Sequence, residues 1–243
     1  MAEPYVKRLT RERIAIEKGR ELYPNIYYSF DDANILKARS MIIGPAGTPY
    51  ADCPLVYDIE YPRDYPHEPP KVAFMTSDGV TRFHPNMYVD GKVCLSILGT
   101  WSGPKWSPAL TTVSVMATIE SLLDENPLRN EPGDRETLTL ENSRAKVYAD
   151  AVQSRLTSFS FRRLCRWKMD GTVPPEWKGF EEVLEERGDE LLTRMYGRIK
   201  TAAAAGDTVL DCREYGRMTV QTDWNSLAVI GKNVTEEGNQ MPK

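Results

Sequence analysis

Cys94 follows Asn86 by eight residues, in a stretch of the chain that is rich in glycine, proline and polar residues and has no helical period. A cysteine thiol is a strong nucleophile even when it is only partly ionised, and an acyl group held on it as a thioester passes readily to an amine. The side-chain amide of Asn86 could donate a hydrogen bond to the oxyanion that forms during this attack. The two residues therefore predict an acyl-transfer site that works through a thioester.

Other chemistries for this cysteine are less favoured. No histidine lies at a spacing that makes it an obvious base for Cys94, which argues against a cysteine protease. A thiol redox protein would need a resolving cysteine close to Cys94, and none is near it in the sequence. Each motif alone also has a structural interpretation, since a cysteine within Val-Cys-Leu is usually buried packing and His84-Pro85-Asn86 can be a local turn. Only the combination of motifs favours catalysis.

The remaining cysteines give no sign of metal binding. They are scattered without a Cys-x-x-Cys pair, and the chain has only two histidines that could share a metal with them. We therefore predict no metal site and treat these cysteines as buried free thiols. They are Cys53, Cys165 and Cys212.

Composition narrows the class of protein. The chain of 243 residues is 41% hydrophobic and 27% charged, which is typical of soluble globular domains. Its 31 basic and 35 acidic residues give a net charge of −4, so nothing global argues for nucleic acid or an anionic membrane as the partner. No apolar run is long enough to span a bilayer, and the first residues lack the apolar core of a secretion signal. We expect a cytoplasmic or nuclear location, or both.

The first half of the chain has one helical pattern, followed by a group of strand patterns and a long loop. An amphipathic helix is predicted from residue 5 to about Gly19. Residues 35–43, 55–61 and 71–75 are rich in β-forming side chains and predict successive antiparallel strands. Four prolines before the third strand mark a rigid loop, namely Pro62, Pro66, Pro69 and Pro70. The long segment 76–105 carries too many aromatic and aliphatic side chains for a linker, so we predict that it folds against the core.

The second half of the chain is dominated by helical patterns. A serine followed by proline, Ser107-Pro108, predicts the start of one helix. Another helix is predicted from about residue 139 to residue 161, and an acidic helical stretch over residues 179–205.

This order of elements indicates an α+β fold, with helices and strands segregated along the chain. We predict a compact catalytic core over residues 1–160. The extension over residues 161–243 is predicted to be mostly helical and to end in a frayed tail.

The motifs around the cysteine together resemble the signature of the ubiquitin-conjugating enzymes. They are His84-Pro85-Asn86, Gly91-Lys92-Val93-Cys94-Leu95 and Trp106-Ser107-Pro108-Ala109-Leu110. The family's upstream strand and proline-loop pattern is matched in the same order by Ile43-Gly44-Pro45, Tyr61-Pro62, Tyr65-Pro66 and Pro69-Pro70-Lys71-Val72. The resemblance covers roughly residues 5–160. It implies the UBC fold, which has an N-terminal helix, a four-stranded antiparallel meander, a long active-site loop and C-terminal helices.

The resemblance implies a role for each of the central residues. Cys94 would receive ubiquitin or a ubiquitin-like modifier from an activating enzyme and pass it to a lysine amine or a ligase. Asn86 matches the asparagine that stabilises the oxyanion, braces the active-site loop, or does both, while His84 and Pro85 would be structural. No cofactor is expected, because ATP is used by the upstream activating enzyme. A non-catalytic adaptor that binds ubiquitin or a ligase is the alternative, but such members typically lose the cysteine.

Two further groups of residues match the family's docking surfaces. Lys7, Arg8 and Arg11 match the basic face of the first helix that docks on the activating enzyme, although a run of charge is also commonly a solvated face. The ligase-contacting loops are matched by His67, Pro108 and Ala109. Histidine at position 67 replaces the phenylalanine of many members that serve RING and HECT ligases, so the class of ligase stays open.

The rim of the active site departs from the common pattern. The chain between Leu98 and Trp106 is longer than in minimal members and carries Trp101, which could alter the rim. Ser96 is a candidate on the rim opposite the amine-accepting side. Asn130 or Glu131 is the candidate on the amine-accepting side, where many members place an aspartate or a serine. The run from Gly91 to Trp101 and the later Asn130-Glu131-Pro132-Gly133 resemble the large Z-type members of the family. These members have a C-terminal extension, pair with a dedicated second activating enzyme, and accept a tandem ubiquitin-like modifier as well as ubiquitin.

Overall fold

The structure is a computed structural model of the whole chain, and three segments of it are described. They are residues 3–131, 138–215 and 218–235. Contacts between residues divide the chain into two units, which are Met1–Gly44 with Pro54–Leu123, and Pro45–Cys53 with Asp124–Lys243.

The first unit begins with the predicted amphipathic helix. Helix α1 spans Pro4–Lys18 and has proline at its first position, where the missing N–H leaves no bond unmade. It ends at Gly19 as the sequence indicates. Its buried residues are Leu9 and Glu12, so one charged side chain lies on the face that packs inward. A buried carboxylate needs bonding partners, and those of Glu12 are described with the site below.

Four strands form an antiparallel meander in the order β1-β2-β3-β4. They are β1 Ile26–Phe30, β2 Lys37–Ile43, β3 Pro54–Glu60 and β4 Lys71–Phe74. The last three confirm the strands predicted from the sequence pattern. Strand β1 was not predicted from its own residues, and only the resemblance to the family implied a fourth strand. It lies at the edge of the sheet and pairs only with β2, where Tyr28 is opposite Ser40.

The core of the first unit is centred on strand β3. Leu55, Val56 and Tyr57 are consecutive residues and are all fully buried, so both faces of this strand are covered. Burying an aliphatic side chain of this size contributes about 1.5–3 kcal/mol. Met41, paired with Val56 in the neighbouring strand, is fully buried as well. The sheet is therefore a rigid support for the loops that leave its edges.

The prediction that a helix begins at Ser107-Pro108 is wrong. Those residues form a turn that is closed by a hydrogen bond of 2.9 Å from the Leu110 N–H to the Ser107 carbonyl. Helix α2 spans Thr112–Leu122 and is capped by Thr111, which exchanges hydrogen bonds with Ser114 in a capping box. A capping box satisfies two free N–H groups of the first turn, so it fixes the helix start more strongly than a serine and proline do.

The second unit contains a long helix that begins a few residues after its predicted start and continues past its predicted end. Helix α3 spans Ser143–Asp170, whereas the pattern predicted about 139 to 161. Asn142 caps its start by accepting a hydrogen bond from the Arg144 N–H, and Gly171 in a left-handed conformation follows its end. The helix is continuous across residues 160 and 161. The boundary between core and extension at that point stays a prediction.

The rest of the second unit is partly helical and partly β. Helix α4 spans Glu181–Ala205 and confirms the predicted acidic helix. Strands β5 Thr208–Cys212 and β6 Met218–Thr222 then form an antiparallel hairpin that the sequence analysis missed, followed by helix α5 Trp224–Thr235. The predicted frayed tail lies outside the described residues beyond 235. The α+β class is confirmed, and no helix within the described part of the chain is long and apolar enough to cross a membrane.

Helix α4 holds the segment Pro45–Cys53, which belongs to the second unit. Arg198 donates hydrogen bonds to the Asp52 carboxylate and, at 2.8 Å, to the Ala51 carbonyl. Arg194 approaches the same carboxylate at 3.5 Å. Asp52 is only 6% exposed, so these guanidinium groups compensate a charge that would otherwise be costly to bury. The extension is thus bonded to a turn that lies more than a hundred residues earlier in the sequence.

Candidate active site

The loop that carries Cys94 is folded against the core, as predicted. Five of its apolar side chains are buried, namely Phe83, Met87, Val93, Leu95 and Leu98. Short β-bridges join Met87 to Val93 and Ala73, in strand β4, to Lys92. The Tyr88 N–H donates to the Lys92 carbonyl at 2.9 Å and closes a tight turn. The turn brings the chain back on itself, so that Cys94 lies opposite Asn86.

This turn requires glycine at position 91. Gly91 has a φ of +90°, a conformation that other residues rarely adopt. A Cβ atom at this position would also lie 3.1 Å from the Phe74 carbonyl oxygen. The glycine of the sequence motif therefore sets the geometry of the loop and lets it approach strand β4 closely.

Backbone and side-chain hydrogen bonds join Asn86 and Cys94. The Cys94 N–H donates to the Asn86 carbonyl at 2.8 Å, and the Asn86 Nδ2 donates to the Cys94 carbonyl, also at 2.8 Å. The Asn86 Oδ1 is buried and accepts no hydrogen bond within the described residues. An amide nitrogen carries two hydrogens, and one remains when the other is bound to Cys94. This geometry fits the bracing role and leaves one hydrogen for an oxyanion.

His84 forms hydrogen bonds to the backbone of Asn86 and of Leu122 through its two ring nitrogens. It is fully buried, its Nδ1 accepts from the Asn86 N–H at 3.0 Å, and its Nε2 lies 3.0 Å from the Leu122 carbonyl. Because Nδ1 is an acceptor here, the ring carries its proton on Nε2 and donates it to Leu122. Burial lowers the pKa of His84 to about 3. A neutral ring with both nitrogens bonded to backbone is a structural group.

The insertion after Leu98 folds back onto the rim residue Ser96. Gly103 approaches so closely that a Cβ atom there would lie 3.0 Å from the Ser96 Cβ. The Thr100 hydroxyl accepts from the Leu95 N–H at 2.9 Å and donates to the Val93 carbonyl at 2.7 Å, which ties the insertion to both neighbours of Cys94. Sequence analysis missed Thr100, which no motif marks. Trp101 is 41% exposed, so a large apolar side chain stands on the surface of this insertion.

The basic residues of helix α1 differ in their exposure to solvent. Lys7 and Arg11 are exposed, as a docking face requires. Arg8 is partly buried, and it donates to Glu12 at 2.5 Å and to the Leu110 carbonyl at 2.7 Å. Arg8 therefore has a structural role, whatever part it also takes in docking.

Glu12 is a buried connection that sequence analysis missed. Its Oε1 accepts from the Tyr65 hydroxyl at 2.6 Å, and its Oε2 accepts from the N–H and hydroxyl of Thr112 at 2.9 and 2.8 Å. A carboxylate at the first residue of helix α2 is also favoured by the helix dipole. Glu12 thus joins helix α1, the proline loop and helix α2. The only signal in the sequence is a glutamate three residues after Leu9, on the apolar face of its helix.

The two predicted ligase-contacting loops are joined to each other. The Trp106 indole nitrogen donates to the Pro66 carbonyl at 2.7 Å, and the Tyr65 and Trp106 rings are 5.9 Å apart. His67, Pro108 and Ala109 are all exposed at the ends of these loops. The structure therefore places the three residues where a partner can reach them.

The predicted amine-accepting residues belong to the second unit. The 3-10 helix Pro127–Asn130 follows Asn126, whose Nδ2 donates to the Leu138 carbonyl at 2.8 Å. Burial raises the pKa of Asp124, and the Asn126 N–H and the Asn130 side chain partly offset this effect. Glu131 accepts a hydrogen bond from the Tyr215 hydroxyl. The predicted motif continues into Pro132 and Gly133, which lie outside the described residues.

All four cysteines are free and buried. Burial raises the pKa of the Cys53 and Cys165 thiols to about 12 and also raises the pKa of Cys212. These three thiols are therefore protonated at neutral pH. Within the described residues, no group of three or more His, Cys, Asp and Glu side chains could hold a metal ion.

The sequence and structure are similar to those of known proteins. A profile of a family described as ubiquitin-conjugating enzyme matches residues 8–156. Ubiquitin-conjugating enzyme E2 Z of Homo sapiens is 46% identical over 127 residues, which make up 52% of this chain and 35% of that protein. The protein of the same name from Xenopus tropicalis is 46% identical over 129 residues, 53% of this chain and 41% of that protein. The matched region thus spans less than half the length of these curated relatives.

A solved structure can also be superposed on the chain. The E2 domain of a ubiquitin conjugating enzyme from Toxoplasma gondii is 29% identical, with a TM-score of 0.49. The superposition covers 64% of this chain and 99% of that one.

Proposed function

The chain belongs to the ubiquitin-conjugating enzyme family, and we propose that it accepts ubiquitin or a ubiquitin-like modifier as a thioester on Cys94. The modifier then passes to a lysine amine or to a ligase. The observation that carries this proposal is the reciprocal bonding of Asn86 and Cys94, which holds an amide donor next to a nucleophilic cysteine. Cys94 is only 2% exposed, so the approach of an acyl group needs a local displacement of neighbouring side chains.

Charging of the cysteine is a thiol exchange. Cys94, as its thiolate, attacks the thioester carbonyl that joins the modifier to the activating enzyme. A new C–S bond forms, the old one breaks, and the activating enzyme's cysteine leaves as a thiolate. The carbonyl is already activated, so no histidine base is required, and His84 with both ring nitrogens bonded to backbone supplies none.

Transfer to an amine is a second attack on the same carbonyl carbon, which Cys94 now holds. A neutral amine attacks the carbonyl on Cys94, the C–N bond forms, and the C–S bond breaks as Cys94 leaves as a thiolate. The attacking nitrogen gives up one proton, which neutralises the departing Cys94 thiolate. The second hydrogen of the Asn86 amide stabilises the oxyanion that forms before the C–S bond breaks.

Partners follow from the exposed residues of the first unit. Lys7 and Arg11 on helix α1 form a basic surface for the activating enzyme, and His67 with Pro108 and Ala109 forms the surface for a ligase. Further partners are the modifier itself and protein substrates. Similarity to the Z-type enzymes favours a dedicated second activating enzyme, and we expect the reaction to take place in the cytoplasm, the nucleus or both.

The experiment mixes the full chain with ATP, ubiquitin and each of two activating enzymes in turn, followed by gels with and without reductant. We expect an adduct that the reductant removes and that Cys94→Ala abolishes. The activating enzyme that supports this adduct identifies the pathway. An adduct that persists in Cys94→Ala would contradict the assignment. No adduct with either enzyme would leave two options, which are a different modifier or an adaptor that retains its cysteine for packing.

A further inference from the structure

The direction of the Cys94 side chain depends on the two peptide groups that flank it. Each peptide group is planar, so the backbone torsions of Cys94 alone set one group relative to the other. The two groups present four polar atoms in chain order, namely the Val93 carbonyl oxygen, the Cys94 N–H, the Cys94 carbonyl oxygen and the Leu95 N–H. Asn86 binds the middle two. The outer two, on Val93 and Leu95, need another partner.

Thr100 binds both of the outer atoms. Its hydroxyl oxygen accepts from the Leu95 N–H at 2.9 Å, and it lies 2.7 Å from the Val93 carbonyl oxygen and 3.1 Å from the Leu95 carbonyl oxygen. A hydroxyl has one hydrogen to donate. The Leu95 carbonyl oxygen already accepts from the N–H groups of Leu98 and Thr100, at 3.1 and 3.2 Å. The hydrogen of the hydroxyl is therefore left for Val93, at the shorter distance.

The backbone before Thr100 brings this hydroxyl into place. Ser96–Leu98 forms a 3-10 helix, and Gly99 follows it in a left-handed conformation with a φ of +70°. The chain turns back there, so that the Thr100 N–H reaches the Leu95 carbonyl. Thr100 itself is exposed, so a replacement that removes only its hydroxyl leaves the buried core of the first unit untouched.

We propose that Thr100 is a positioning residue, whose hydroxyl bridges the peptide groups on both sides of Cys94 and so sets the direction of the Cys94 thiol. Asn86 binds one polar atom of each group and Thr100 binds the other, so neither group rotates without breaking a hydrogen bond. The sulfur is left with rotation about the Cα–Cβ bond, which has three staggered positions. This inference rests on the proposed function, because it takes Cys94 as the carrier of the modifier.

Removal of the hydroxyl is the first test. Thr100→Val retains the branched shape but binds neither outer atom. Charging and transfer to lysine use the same sulfur, so we expect the maximal rates of both to fall by a similar factor, about five- to fiftyfold, because displacement of a reacting atom by about 1 Å can cost about a hundredfold. The KM for the charged activating enzyme should be unchanged, because the substitution leaves the exposed basic residues of helix α1 in place.

Two variants control for structural effects. Thr100→Ser keeps the hydroxyl and should retain both rates within about twofold. Thr118→Val makes the same replacement at a hydroxyl that donates to the Ser114 carbonyl at 2.8 Å within helix α2, and it should leave both rates unchanged.

A measurement on the unsubstituted chain needs neither activity nor a folded variant. Amide hydrogen exchange, followed by NMR, reports whether the Leu95 N–H is bonded. We expect this amide to exchange at least about tenfold more slowly than an amide in an unfolded chain, as the bonded N–H of Cys94 should. Thr100→Val should remove the protection of Leu95.

Four results would overturn the inference. They are an unprotected Leu95 amide in the unsubstituted chain, unchanged rates in Thr100→Val, a raised KM with an unchanged maximal rate in that variant, and rates of Thr100→Ser as low as those of Thr100→Val. If the unsubstituted chain never forms a thioester on Cys94, the proposed function fails. That result is distinct, because the exchange of the Leu95 amide still reports on the bridge made by Thr100.

Discussion

The side-chain nitrogen of Asn86 lies 2.8 Å from the carbonyl oxygen of Cys94, and the backbone N–H of Cys94 lies 2.8 Å from the carbonyl oxygen of Asn86. One residue therefore holds the backbone of the nucleophile and has a second amide hydrogen beside it. The same asparagine can brace the loop before reaction and bind the oxyanion during reaction. Bracing the loop should affect thioester formation and transfer to the amine alike, whereas oxyanion binding should matter mainly in transfer.

Substitution of Asn86 separates these roles. In Asn86→Ala we expect transfer to lysine to slow by about a hundredfold, because the oxyanion loses its donor, while thioester formation slows much less. Single-turnover rates of charging and discharge are the measurement. An equal loss in both steps would show that the residue mainly braces the loop. Asn225→Ala, at an exposed asparagine of the second unit outside the candidate site, is the comparison for general effects of removing an asparagine.

The buried carboxylate of Glu12 should matter for stability. Its oxygens accept hydrogen bonds only, from Arg8, Tyr65 and Thr112, so Glu12→Gln places an NH₂ group against a donor. We expect a loss of about 2 kcal/mol in the free energy of unfolding, measured with urea. The control is Glu17→Gln on the same helix, whose exposed pair with Arg13 at 3.4 Å should be worth less than about 0.5 kcal/mol. A loss no larger than that of the control would contradict the connecting role of Glu12.

His84 should make the fold sensitive to acid. Burial lowers the pKa of His84 to about 3 from its usual 6.5, so below pH 6.5 the unfolded chain takes up a proton that the native state does not. The free energy of unfolding that the neutral ring contributes is therefore fully present above pH 6.5 and is lost as the pH falls towards 3. The slope approaches about 1.4 kcal/mol per pH unit.

The measurement is the free energy of unfolding between pH 6.5 and 5, above the range where most carboxylates titrate. The difference between the unsubstituted chain and His84→Gln should shrink as the pH falls. His67→Gln, on an exposed loop, is the matched control. A difference that stays constant over this range would show that His84 is not held neutral.

The four cysteines should differ in reactivity. Burial keeps the thiols of Cys53, Cys165 and Cys212 protonated at neutral pH, and a thiol reacts through its thiolate. With a limiting amount of iodoacetamide under native conditions, we expect peptide mass spectrometry to find Cys53, Cys165 and Cys212 unmodified. Modification of Cys53 or Cys165 ahead of Cys94 would count against Cys94 as the nucleophile.

Features determined by neighbouring residues were predictable from the sequence. Helix α1 and strands β2 to β4 follow from hydrophobic periodicity, because each of them buries one face or both. Strand β1 was missed because Ile26–Phe30 lacks a clear alternation of apolar and polar residues. The start of helix α2 was misplaced because the capping box of Thr111 and Ser114 outweighs a serine and proline upstream.

Features determined by distant residues were not predictable. Tyr215 and Glu131 are 84 residues apart, and no sequence motif predicts that they are in contact. The bond from Arg198 to Asp52 spans 146 residues. The β5–β6 hairpin was missed because its strands carry polar residues and gain their stability from packing in the second unit. The proximity of Asn86 and Cys94 could be expected, because a short motif with a required glycine at position 91 brings them together.

The most direct test of the central claim is the chemical nature of the bond at residue 94. We would incubate Cys94→Ser with ATP, ubiquitin and the activating enzyme that charges the unsubstituted chain, and then determine intact mass and the modified peptide. A serine hydroxyl gives an oxygen ester, so we predict an adduct at residue 94 that resists thiol reductants, where the unsubstituted chain gives one that they remove. An adduct of Cys94→Ser that reductant still removes, or one mapped to Cys53, Cys165 or Cys212, would contradict the assignment of Cys94 as the carrier of the modifier.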